Sequence, residues 1–224
     1  MKVRLQFTKT LFLAGVLSTF AICSLADTIS LNSSASETTN DSSSATLNIP
    51  KHPGWANPLG SSSWVSYGET GDPSAPGYFA PANGTVVTFT DMFFIGGTPA
   101  GGSVNVLADD STAVVLNGVT LFNEATSTGN GYGTCSDFGI GCLTSTEGHI
   151  DLTSGLTAGW NTLSFAVAQR AGSSYGLDYS GSVDYSVDPN GGTSATPEPA
   201  SMLLLATGLL GLGGFRRWRK GQRG

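Results

Sequence analysis

Few side chains in this sequence have the types and spacing to do chemistry. Asp109 and Asp110 are adjacent carboxylates that end a β-rich stretch and precede a turn. Paired carboxylates in a loop can hold Ca²⁺, a hard cation that takes oxygen ligands. They can also serve as the acid and base of a glycosidase, or act only as turn and capping residues. Trp55, Trp64, Tyr67, Tyr78 and Trp160 carry rings that could stack on the apolar face of a sugar. Trp55 and Tyr78 fall in Gly/Pro-rich loops, where binding residues gather, whereas Trp64 is expected to pack the core. Arg170 is nearly the only base of the middle region, and it either pairs with a carboxylate or donates to sugar hydroxyls. The candidate ligand contacts are therefore Trp55, Tyr78 and Arg170. His52 and His149 have no Ser or Cys nucleophile context, and the sequence has no triad, phosphate loop or metalloprotease motif.

These residues must be positioned by strands. The chain has 224 residues, of which 12% are charged and 31 are Gly, against roughly 25% charged in an average globular chain. Gly, Ser, Thr and Asn disfavour helix interiors and suit strands joined by turns. Thr85 to Ile95, Ser103 to Leu107, Ile150 to Leu152, Thr162 to Gln169 and Gly176 to Val187 read as strands. Val114–Leu116 and Val119–Leu121 flank Asn117-Gly118, the strongest hairpin signal in the chain, because a type I′ turn needs positive φ at both central residues. The expectation is an all-β, jelly-roll β-sandwich over residues 47–188. Residues 27–46 are Ser/Thr-rich with few apolar side chains and read as a flexible leader, and 189–196 as a linker.

The charge is unevenly placed. Eight of the ten Lys and Arg residues lie in the first nine or last nine positions. Between Asp27 and Thr196 two bases stand against fifteen acids, a net −13. A nucleic-acid partner is thereby excluded, since such proteins carry a basic footprint.

Both ends read as addresses. Lys2, Arg4 and Lys9 precede an apolar run from Leu11 to Ile22, and Ser24-Leu25-Ala26 supplies small residues at −3 and −1. This is the pattern of a signal peptide helix over 1–26, handled by the Sec translocon and signal peptidase and cut after Ala26. A lipoprotein reading through Cys23 is disfavoured by Ile22 before it. Cys135 and Cys142 are the cysteines left after that cut, and in an oxidising compartment they are expected to form a disulfide. At the other end, Ala200 to Phe215 would span about 24 Å as a single transmembrane helix. Arg216, Arg217, Arg219 and Lys220 would then stop transfer on the cytoplasmic side.

Pro197-Glu198-Pro199-Ala200-Ser201, the Leu/Gly-rich span and the basic cluster together resemble the PEP-CTERM sorting domain, over residues 197–220. That resemblance implies a transient inner-membrane anchor and processing near Pro197, Glu198 and Pro199 by the membrane protease exosortase. It implies release to the cell surface or extracellular matrix. The tail's other family label, ice-binding protein C-terminal domain, describes the address and not a ligand. Glu198 is then a recognition residue for another enzyme.

A second resemblance spans about residues 47–187. Val104-Asn105-Val106-Leu107-Ala108-Asp109-Asp110, Val114-Val115-Leu116-Asn117-Gly118 and Gly159-Trp160-Asn161-Thr162-Leu163-Ser164-Phe165 follow one another as in the galactose-binding-like (discoidin-type) jelly rolls of many carbohydrate-binding modules. This resemblance implies a non-enzymatic module for exopolysaccharide or another glycan, with structural Ca²⁺ common in the fold. The alternatives are a polysaccharide-acting hydrolase and a matrix protein with no specific ligand.

Overall fold

The computed structural model describes residues 25–124, 139–170 and 172–187. Residues 1–24 of the signal segment, Cys135, the 189–196 linker and the whole sorting region lie outside the described residues.

Among the described residues, eleven strands form two antiparallel sheets. They are β1 (Leu25–Asn32), β2 (Thr38–Asn40), β3 (Leu47–Asn48), β4 (Val65–Ser66), β5 (Val86–Ile95), β6 (Thr98–Asp109), β7 (Ser111–Leu116), β8 (Val119–Phe122), β9 (Gly148–Asp151), β10 (Gly159–Ala168) and β11 (Gly176–Val187). The first sheet runs β3-β4-β11-β6-β9, with β1 also paired to β11; the second runs β2-β5-β10-β7-β8. The chain is thus an all-β jelly-roll sandwich. The hairpin forms at its expected place, with φ of 51° at Asn117 and 81° at Gly118.

Alternation along the strands sets the layers. Val87, Phe89, Phe93 and Ile95 of β5 and Leu163, Phe165 and Val167 of β10 point inward. They meet Val104, Val106 and Ala108 of β6 and Leu177, Tyr179 and Val183 of β11. The opposite face of β6 carries a smaller core, in which Leu107 packs with Ile49, Trp55, Trp64 and Cys142. Period-two geometry requires this split, since successive residues face opposite sides of a sheet.

The leader expectation is overturned. Residues 25–32 pair with β11 along eight register positions, from Leu25↔Val187 to Asn32↔Ser180. Thr38–Asn40 pair with β5, and Leu31 is 1% exposed. Low apolar content misled because an edge strand needs few inward hydrophobes when its polar groups are satisfied. Ser33 Oγ lies 3.0 Å from Asp178 Oδ1 and Thr38 Oγ1 lies 2.8 Å from the Tyr179 hydroxyl. The folded unit therefore starts in β1 and not at residue 47.

Candidate functional site

Most of the chemically suggestive residues collect at one end of the sandwich and are consumed there. Asp109 closes β6 and is 4% exposed; Asp110 is 2% exposed. Trp55 Nε1 donates to Asp109 Oδ2 at 2.6 Å, and the Arg170 backbone N–H donates to Asp110 Oδ2 at 2.6 Å. Asp109 Oδ1 is buried and accepts no donor. Burial, first, and then the charge of Asp110 hold the Asp109 carboxyl well above its usual range, and the Asp110 carboxyl is within hydrogen-bonding reach. Burial and the neighbouring carboxylate thus favour the protonated form of Asp109, because a desolvated carboxylate beside a like charge ionises at a cost.

They do not fit Ca²⁺. Each spends an oxygen on a protein N–H, and no group of three His, Cys, Asp or Glu side chains that could hold a metal occurs among the described residues. Ca²⁺ takes six to eight oxygens. The pair also differs from a glycosidase arrangement, in which two carboxyls flank a cleft.

Trp55 is a correction to the ligand expectation. It is 5% exposed, and its ring lies 4.2 Å from that of Trp64. Its face is covered, and its N–H is committed to Asp109. Arg170 takes the pairing alternative: its guanidinium forms a salt bridge with Glu124, at 20% side-chain exposure. Ser111 Oγ joins them by donating to Glu124 Oε1 at 2.7 Å. Tyr78 is half-buried in the loop before β5. Its neighbour Phe79 packs edge-on against Tyr67, which in turn meets Tyr175. Cys142 is buried and disulfide-bonded; the expected partner, Cys135, lies outside the described residues.

The exposed candidate surface is elsewhere. On the outer face of the second sheet Trp160 is 66% exposed, Met92 59% and Phe94 53%. Trp160 and Phe94 are register partners on β10 and β5, with ring centroids 5.4 Å apart and planes at 68°. The ladder continues as Met92↔Thr162, Thr90↔Ser164 and Thr88↔Ala166. Thr90 and Ser164 lie in hydrogen-bonding contact at 3.3 Å. Every outward residue of β5, β10 and β7 is uncharged: Val86, Thr88, Thr90, Met92, Phe94, Trp160, Thr162, Ser164, Ala166, Ala113 and Val115. In a chain this acidic, such a face is distinctive. The rings stand at one end of a strip about 27 Å long, from eight steps of about 3.4 Å along β5.

Sequence reasoning included Trp160 among the aromatic rings but missed its pairing with Phe94. The usable signal was the period-two run from Val86 to Ile95, which places Met92 and Phe94 on the face opposite Phe93 and Ile95.

Comparison with curated proteins finds no match. Among solved structures, similarity extends to a family 35 carbohydrate binding module from Clostridium thermocellum. It is 12% identical with a TM-score of 0.37, over 69% of this chain and 97% of that one. Similarity also extends to the α-L-rhamnosidase of Streptomyces avermitilis complexed with L-rhamnose. It is 16% identical with a TM-score of 0.41, over 70% of this chain but 14% of that one. Residues 195–220 match the PEP-CTERM protein-sorting motif, so the chain carries that sorting signal.

Proposed function

We propose that this is an exported surface protein, delivered through the exosortase route, whose sandwich is a non-catalytic module for neutral glycans. The observation that carries the reading is the exposed Phe94–Trp160 pair at the end of an uncharged, hydroxyl-bearing strand ladder. Aromatic faces accept the apolar side of a pyranose while keeping large rigid contact area. Thr90, Thr162 and Ser164 offer hydroxyls that both donate and accept. The surplus of acids around this face repels anionic polymers at long range, which favours a neutral chain. The adjacency and burial of Asp109 and Asp110 support the non-catalytic side of the reading.

Processing completes the proposal. Signal peptidase cuts after Ala26, which leaves six of the eight β1 register pairs, Asp27 to Asn32. Residues 200–215 hold the chain in the inner membrane until exosortase cuts near Pro197–Pro199, and Cys135 pairs with Cys142.

The test is a glycan array probed with residues 27–196, as wild type and Trp160→Ala, with and without Ca²⁺. Binding to neutral glycans that is lost in the variant and indifferent to Ca²⁺ is expected. Silence across neutral and acidic glycans would sink the glycan reading and leave a matrix protein without a specific ligand.

A further inference from the structure

The aromatic pair lies at the end of the sandwich from which the chain departs toward its sorting tail. Val187 ends β11, and two positions before it Tyr185 is the ladder partner of Asp27, the first residue after the signal segment. The β5–β6 connection, Gly96-Gly97, sits against the same spot. A Cβ on Gly97 would meet Ser186 O at 2.1 Å, and one on Gly96 would lie 3.7 Å from the Tyr185 ring and 4.0 Å from Phe94. Both chain connections and the exposed rings therefore share one pole. Two carboxylates among the described residues there are each engaged by a hydroxyl: Tyr185 Oη donates to Asp27 Oδ2 at 2.8 Å and Thr28 Oγ1 to Asp184 Oδ1 at 2.6 Å.

We infer that in the anchored form this pole is seated on the bilayer, with Trp160, Phe94 and Met92 in the lipid interface, and that cutting the tail uncovers them. The inference rests on residues 200–215 being a membrane span; it does not rest on the glycan reading. Twelve residues, 188–199, separate Val187 from that span, and they reach at most about 43 Å even fully extended. The pole bearing the rings is thus the part of the domain that is tethered to the lipid. Trp is enriched where one end of a side chain meets hydrocarbon and the other water. The ring-bearing ladder beside the tether point is uncharged, which suits a bilayer that the rest of the acidic domain does not attract.

Trp160 is its own reporter, because Trp55 and Trp64 are 5% and 1% exposed. The full chain with Trp218→Phe is reconstituted into phosphatidylcholine–phosphatidylethanolamine vesicles with and without brominated acyl chains. Co-flotation first shows insertion. Brominated lipid is then expected to quench the emission of Trp160, because an indole held at the interface lies beside the acyl chains, and a further Trp160→Phe substitution removes that quenchable component. Flotation with no quenching overturns the inference and leaves the anchor standing. Failure to float overturns the anchor and the inference with it. The glycan reading is judged separately, on the tail-free chain.

Discussion

Trp160 and Phe94 face each other across the β5–β10 ladder as an edge-to-face pair, 66% and 53% exposed, while their strand neighbours Phe93 and Asn161 are buried. Two large rings held open to water by a sheet are costly unless something covers them, since apolar area gains by leaving water.

Replacing Trp160 or Phe94 by Ala is expected to weaken binding to the neutral glycan by at least about tenfold, or about 1.4 kcal/mol. Folding stability should fall by no more than about 1.5 kcal/mol, the scale of one aromatic pair. Titration calorimetry and thermal unfolding on the same samples separate the two effects. An affinity unchanged by both substitutions would remove the face from the binding site.

Asp91 sets a pH dependence. It is 5% exposed and accepts the Tyr179 hydroxyl at 3.1 Å. Burial pushes its pKa up to about 6, from 3.8. A folded value above the unfolded one means that the folded state holds the proton more tightly, so this group's contribution is full below about pH 4 and is lost as pH rises through about 6. Asp91→Asn keeps an acceptor for Tyr179 and carries no charge. The variant should gain on the order of 2 kcal/mol over wild type at pH 7.5, after allowance for screening, and nothing at pH 3.5. Denaturant melts at the two pH values decide it; equal gains at both would reject the assignment.

Trp55→Phe removes the donor to Asp109 while leaving a ring against Trp64. A buried carboxyl with neither oxygen satisfied by a nitrogen donor should cost about 1–3 kcal/mol. Glycan affinity should not move, because Trp55 lies away from the exposed face. A loss of affinity with stability intact would restore Trp55 as a ligand contact.

Leu31→Ala tests the role of the first strand. A leader outside the fold would show no effect. A side chain 1% exposed in the main core should cost about 2–5 kcal/mol, read as a lowered unfolding midpoint with an unchanged slope.

Much of the sandwich was legible before any coordinates. Period-two runs marked β5, β10 and β11, and Asn117-Gly118 marked the β7–β8 turn, because these signals are local. The first strands were not legible. Asp27 to Asn40 looks like a polar leader until Ser33 and Thr38 are seen to be satisfied by Asp178 and Tyr179, about 145 and 141 residues away.

The candidate site divides the same way. The sorting tail is linear, so order and composition alone determined it: Pro-Glu-Pro, an apolar run and a basic cluster need no folded context to be read. The sequence likewise determined the acidic middle and the absence of a known catalytic motif. Only the tertiary structure decided which aromatic rings are available. Trp55 and Trp160 are the same residue type in similar Gly-rich surroundings, yet one is clamped between Trp64 and Asp109 and the other stands open on β10. Exposure depends on what the rest of the chain brings to each face, and that is a property of packing across the two sheets rather than of neighbours in sequence.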